Sequence, residues 1–402
     1  MKLKDSILLL ALLSGPTACS QSSEKVEEIW GKIRDNVNYV INETAEMASA
    51  IFHEEDTELN NAPNTAPSQE ILPDRFEEIE KFLNKDFNGF EKSDFQHPSL
   101  GTFALSNIAE GMLSYVEDYP ENKERIMSYL EKIIQAMLHD KVSPYKQNIE
   151  NISNLGENGS YLTHLNIILG SYSLTGGTKY DNLHEKISAH LSQKSVQDPQ
   201  KHVRPYANQK HKWPADQAAT LYSLWLFDES NKTNLSNEPI NDWLMYMHKN
   251  AIDKNTGLHI SNITGKKYAQ FPRGSALAWS IKYMAKFAPE EAAKQWELFK
   301  EHFMISLGIG NGFREYPKGV NQVEDSDSGP IILEIGSSAS AFAMAAAASM
   351  DDIDTYNKLH RSFSIANTGI TILGDDFMKN AASDVLAKSI VFNAESQAHQ
   401  IN

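Results

Sequence analysis

Apolar positions along this chain recur at the three- and four-residue spacing of a helix face, segment after segment. No stretch alternates long enough to make a strand of any length. The spacing predicts helices over residues 101–116, 122–138, 160–174, 180–191, 215–227, 240–252, 275–287, 290–307, 338–350, 356–366 and 381–392. In the second of these the stripe is Ile126, Tyr129, Leu130, Ile133, Ile134 and Met137. Turn chemistry separates them at Tyr119-Pro120, Thr175-Gly176-Gly177, Ala288-Pro289 and Asp351-Asp352. Short pieces at 258–260 and 331–335 read as strands inside loops.

The helices come in pairs that repeat about every 55–60 residues without a strict sequence repeat. Within a pair the first helix is richer in small and aromatic residues and the second in charges. That asymmetry predicts an inner and an outer helix. Five or six such hairpins closing on themselves make an all-α (α/α) toroid. Loops within a pair are short, whereas those between pairs, at 194–214, 253–274 and 308–337, are long. All long loops then fall on one rim, at the N-terminal ends of inner helices. Loops of that length usually carry function, and helix N-termini offer free N–H groups to anionic or polyhydroxyl ligands.

The first 70 residues differ from the rest. Lys2 and Lys4 precede an apolar run over 7–13, then Ser14-Gly15-Pro16-Thr17-Ala18, the pattern of an export signal. The chain's single cysteine, Cys19, follows directly, so no intrachain disulfide is available. This arrangement resembles a bacterial lipoprotein signal, which implies lipid attachment at Cys19. Ser20 fits sorting to the outer membrane, so the expected location is the cell envelope, with the lipid anchor as the membrane contact. The expected layout is a signal over 1–19, a region over 20–70 and a toroid domain over 71–402. The middle region holds a tether, an amphipathic helix over 26–52 and an acidic, Asn/Pro-rich linker. No later apolar run approaches the ~18–20 residues that cross a bilayer.

Composition is that of an ordinary globular protein, and a net charge of −16 argues against a nucleic-acid partner, which requires basic surface. The candidate chemistry lies on the long loops. Residues 311–347 hold Arg314, Glu315 and Tyr316, then Glu324, Asp325 and Asp327 ahead of Gly329-Pro330, then a helix of small residues. Other loops hold Glu157, Asn158 and Tyr161; His202, Arg204, Tyr206, His211, Trp213 and Asp216; and His259 and Arg273. In Trp213-Pro214-Ala215-Asp216, proline suits a first helical turn and Asp216 falls within it, either complementing the helix dipole or aimed into the central cavity. Two carboxylates about 5–10 Å apart can divide acid and base roles in glycosidic cleavage. The candidate acid/base groups are therefore Asp216, Glu315, Asp325 and Asp327. Arg273 and Arg314 are candidate substrate clamps through their planar forks, and Tyr206, His211, Trp213, Tyr316 and Glu157 candidate ligand contacts. Asp325-Ser326-Asp327 supplies oxygen ligands without an EF-hand pattern, and the zinc, phosphate-loop and nucleophile-elbow motifs are absent, so neither metal nor cofactor is expected.

The segments THLNIILGSYSLTGGTKY at 163–180, WPADQAATLYSLWLFD at 213–228, RGSALAW at 273–279, GFREYPKG at 312–319 and DSDSGPIILEIGSSASA at 325–341 resemble a set of bacterial proteins. Those in turn resemble the linalool dehydratase/isomerase-like domain, a toroid related in shape to six-hairpin glycosidases. The resemblance covers about residues 71–393 and implies the toroid and a pocket on its rim. The cysteines associated with linalool chemistry have no counterpart after Cys19. The expected protein is an exported enzyme acting on a carbohydrate or small hydroxylated substrate by carboxylate acid/base catalysis, as hydrolase, lyase or dehydratase/isomerase. The alternative is a non-catalytic envelope lipoprotein that binds a glycan or lipid ligand or scaffolds a complex. A pocket in which carboxylates meet separates the first from the second.

Overall fold

A computed structural model describes residues 71–84, 98–140, 142–207, 209–306, 310–320, 325, 328, 331–332, 334–373 and 381–400. The leader, Cys19, the helix over 26–52, the linker and Asp327 lie outside these described residues.

Among the described residues the chain forms twelve α-helices, in chain order α1 (Ile71–Asn84), α2 (Pro98–Asp118), α3 (Lys123–Leu138), α4 (Gly159–Leu174), α5 (Asp181–Gln197), α6 (Pro214–Asn231), α7 (Asn237–Asn250), α8 (Gly274–Phe287), α9 (Pro289–Phe303), α10 (Ser337–Ser349), α11 (Ile353–Leu373) and α12 (Ala381–His399). The even-numbered helices form the inner ring. α2 packs on α4, α4 on α6, α6 on α8, α8 on α10, α10 on α12, and α12 returns to α2. Odd-numbered helices lie outside, α3 against α2 and α4, α9 against α8 and α11 against α10. The architecture is an (α/α)6 toroid.

Sequence composition accounts for the two layers. In α4 every residue from Gly159 to Tyr172 is buried, so this helix has no solvent face. α10 is mostly alanine, with Ala339 and 343–348 buried, which lets neighbouring backbones approach closely. Outer α3 buries only Ile126, Leu130, Ile133, Ile134, Ala136 and Met137, and outer α1 buries Leu72, Phe76, Ile79 and Leu83. The helix α1 extends the expected set by one outer member. Its stripe was present in the spacing, within a stretch dominated by charge.

The bore is not open. Lys282 of α8 reaches across the ring to Glu110 of α2, Nζ to Oε2 at 2.9 Å, and to Asn107 Oδ1 at 3.1 Å. Asn393 of α12 donates to the same Asn107 oxygen at 3.1 Å. Both charged side chains are 2 % exposed. A buried pair of this kind is held by mutual attraction and its extra hydrogen bonds against a large desolvation cost. It ties opposite walls of the ring together and floors the space above it.

On the rim, short antiparallel strands join the long loops. β1 (His211–Lys212) pairs with β2 (Ile263–Thr264), which pairs with β3 (Lys267–Tyr268). β4 (Met304–Ser306) pairs with β5 (Asn311–Phe313), and β6 (Ile331–Ile332) with β7 (Ile335–Gly336). The expected strand pieces at 331–335 and 258–260 correspond to β6–β7 and to an isolated bridge between Ile252 and His259.

Candidate functional site

The rim is assembled by one repeated device. The first N–H of α4, on Gly159, donates to the Arg204 carbonyl at 3.1 Å, and the next, on Ser160, to Pro205 at 3.2 Å. The first N–H of α8, on Gly274, donates to the Glu315 carbonyl at 2.8 Å. These two inner helix starts, α4 and α8, are thus capped by the loop that leads to the following inner helix. A Cβ at Gly159 or Gly274 would run into the carbonyl oxygen of Arg204 or Arg314, which explains glycine at both positions.

Two corners result, and the expected site residues divide between them. At the start of α8, Arg273 donates from Nε to Glu315 Oε1 at 2.7 Å and from its two terminal nitrogens to Asp325 at 2.9 and 2.8 Å. Glu315 is fully buried and also accepts from the Ser275 N–H at 3.1 Å and the Ser275 hydroxyl at 2.7 Å. The anion attracted to this helix N-terminus is therefore supplied by the chain itself. Burial holds the Glu315 carboxyl above its ordinary value against the opposing pull of Arg273 and Ser275. Burial lowers Arg273, but Asp325 and Glu315 outweigh it and raise the guanidinium further. Tyr316 lies under Arg273, 5.5 Å from ring centre to guanidinium.

The second corner lies between α4 and α6. Gly159, Ser160, Thr163, His164, Val203, Pro205, Asp216 and Thr220 line a small cleft with room for about one water molecule. Pro214 opens α6 and places Asp216 in its first turn, with a half-buried side chain. Thr163 and Thr220 hydroxyls meet at 2.7 Å across the helix pair. His164, 2 % exposed, is held at Nδ1 by the Ser106 hydroxyl of α2 at 2.7 Å. The same hydroxyl lies 3.0 Å from the Phe103 carbonyl. With the serine proton on that carbonyl, the imidazole proton sits on Nδ1 and Nε2 keeps its lone pair. Burial, assisted by the charge of Lys282, pushes His164 down to about 3, so the ring is neutral at physiological pH. Phe103, His164, Trp279 and Phe342 form a contiguous aromatic group. Ring centres are 4.3 Å apart for Phe103–His164, 5.6 Å for Phe103–Trp279 and 4.5 Å for Trp279–Phe342.

The remaining candidates are dispersed. Arg314 pairs with Glu334 at 2.9 Å, and Arg204 with Glu157 at 3.1 Å on the surface. His211 stacks on Trp213 at 5.9 Å and bonds Thr264 at 2.7 Å, within the β1–β2 seam. Tyr206 is exposed. Tyr161 donates to the Met137 carbonyl at 2.7 Å. His202 is buried beneath the indole of Trp243, which donates to its Nε2 at 3.3 Å. Thus Arg273 unites Glu315 with Asp325, whereas Asp216 belongs to a different corner. Residue spacing did not single out Ser106, Thr163, His164 or Thr220. A histidine inside an otherwise apolar helix was the available signal.

No protein-family description and no curated protein matches the chain. Among solved structures it is similar to a family 105 glycoside hydrolase of C. acetobutylicum, at 10% identity and a TM-score of 0.49 over 83% of this chain and 99% of the other. It is also similar to a family 76 glycoside hydrolase of a bovine Bacteroides thetaiotaomicron strain, at 9% identity and 0.47 over 73% and 68%, respectively. A polysaccharide lyase is similar at 12% identity and 0.46, over 73% of this chain and 90% of the other.

Proposed function

We propose that this toroid is a carbohydrate-acting enzyme whose chemistry takes place in the cleft between α4 and α6, with Asp216 and His164 as its proton-transfer groups. The observation that carries the reading is their meeting in one cleft: a carboxylate in a first helical turn and an imidazole kept neutral by burial. Acid/base catalysis requires groups that can give and take a proton within reach of the reacting atoms. Ser106 positions the ring, as an orienting group does for a catalytic histidine. The hydroxyls of Ser160, Thr163 and Thr220 match a polyhydroxyl ligand, and Phe103 and Phe342, half-exposed beside Trp279, offer ring faces to the apolar side of a sugar. Arg273, with its fork already filled by Asp325 and Glu315, braces the neighbouring wall.

Hydrolysis and elimination both use such a pair, and products separate them: new reducing ends alone, or reducing ends with unsaturated sugars. The resemblance of its segments to the linalool dehydratase/isomerase-like domain extends the reading to small alcohols, with the same two groups removing and returning protons. The signal-like leader and Cys19 support a location in the cell envelope on a lipid anchor. Incorporation of labelled palmitate that is lost in Cys19→Ala tests that location. A panel of polysaccharides and small alcohols tests the activity. Turnover by the wild type that falls by about 10²–10⁴ in Asp216→Asn supports it. Saturable glycan binding without turnover would favour the non-catalytic alternative.

A further inference from the structure

A second cluster of ligating side chains lies away from both rim corners. His248 sits in the last turn of α7, His259 in the long loop that follows, and Glu291 in the first turn of α9. One ligand atom from each lies within 4.8 Å of the others. His248 Nε2 is 2.9 Å from Glu291 Oε2, and His259 Nε2 is 3.0 Å from Glu291 Oε1. We propose that His248, His259 and Glu291 form a binding site for a divalent transition metal of the zinc type.

Two imidazole nitrogens and one carboxylate are a recognised zinc donor set, and three protein ligands leave a fourth position for water. Each imidazole faces the carboxylate through Nε2, so an ion entering between them displaces the proton that bridges each pair. Exposure is graded across the site: the side chain of His259 is 1 % exposed, Glu291 10 % and His248 50 %. The open position therefore lies on the His248 side, where an ion can enter and exchange water.

A second layer fixes the donors. Gln295 accepts the His259 peptide N–H at 2.9 Å and donates to Glu291 Oε1 at 3.0 Å, so one side chain aligns two ligands. The Trp243 ring meets His259 edge-on at 5.9 Å. Lys294 is 3.9 Å from Glu291 and mostly exposed, so it can move away into water as an ion enters. The donors come from α7, the 251–273 loop and α9. An ion there clamps to two outer helices the loop that ends at Arg273.

The test uses the full chain after exhaustive chelation. Cobalt(II) is added while visible absorption is followed, and zinc(II) binding is measured by calorimetry, for wild type, His248→Ala and Glu291→Gln. The expected result is one equivalent bound with the intense absorption of four-coordinate cobalt, zinc raising the unfolding temperature, and affinity falling by about tenfold or more in each variant. Because His248 is half-exposed, His248→Ala removes a ligand without opening the core. No stoichiometric binding by the wild type, or equal binding by all three proteins, would overturn the site.

Discussion

Asp216 lies in the first turn of α6 and Glu315 in the loop that caps the start of α8, and their surroundings set them apart. Glu315 is enclosed and meets Arg273 and both polar groups of Ser275, so its negative charge is committed to holding the rim. Asp216, half-buried, shares a small cleft with three hydroxyl residues and a neutral imidazole. A carboxylate already matched by a guanidinium has little freedom to exchange a proton. A carboxylate beside an inner helix start is thus a brace at one corner and the candidate for chemistry at the other.

The largest expected effect is at the brace. Arg273→Met strips the partner from a buried carboxylate and should cost about 3–5 kcal/mol, read as a drop in unfolding free energy by denaturant titration. A loss below about 1 kcal/mol would mean that Glu315 is not charged in the folded state. Acid behaviour comes next. Burial pushes His164 and His184 down to about 3 and His202 to about 4, from an ordinary 6.5. These rings enter the fold without a proton, while the unfolded chain takes one up below 6.5. Stability is therefore complete above pH 6.5 and declines as the pH falls, by about 1.4 kcal/mol per pH unit for each proton. Glu315, held above its ordinary value, acts in the opposite sense. A profile that is flat between pH 5 and 6.5 would contradict the buried neutral histidines.

Smaller effects test the cleft and the surface. Ser106→Ala removes the hydrogen bond that orients His164, and should cost about 1–3 kcal/mol while shifting the pH–rate profile. An unchanged profile would remove Ser106 from the positioning of the ring. Arg314→Ala breaks an ion pair whose partner, Glu334, is 57 % exposed, and should cost less than about 1 kcal/mol. A loss comparable with that of Arg273→Met would erase the contrast between buried and surface guanidinium groups.

Much of the fold is legible in the chain. The continuous burial of α4 follows from a run with no polar face, and the amphipathic outer helices from theirs. Alternating long and short connections place the long loops on one rim, where their strands and carbonyl caps are found. Partner choice was not legible. Arg273 takes Glu315 and Asp325, 42 and 52 residues away, and His164 takes Ser106, 58 residues earlier. Those pairings depend on which helix starts become neighbours when the ring closes, which hydrophobic spacing does not encode. Lys282 and Glu110 lie 172 residues apart, and only closure of the ring sets them facing each other across the bore. The His248–His259–Glu291 group escaped notice for the same reason: its spacing matches no local ligand motif.

The most direct test of the contrast between the corners is the rate of Asp216→Asn against Asp325→Asn on the first substrate turned over by the wild type. The account predicts that Asp216→Asn loses about 10²–10⁴ in kcat with its unfolding temperature unchanged, while Asp325→Asn stays within about tenfold of the wild type. If Asp325→Asn carries the loss and Asp216→Asn remains active, the chemistry belongs to the Arg273 corner and the assignment of the cleft is wrong.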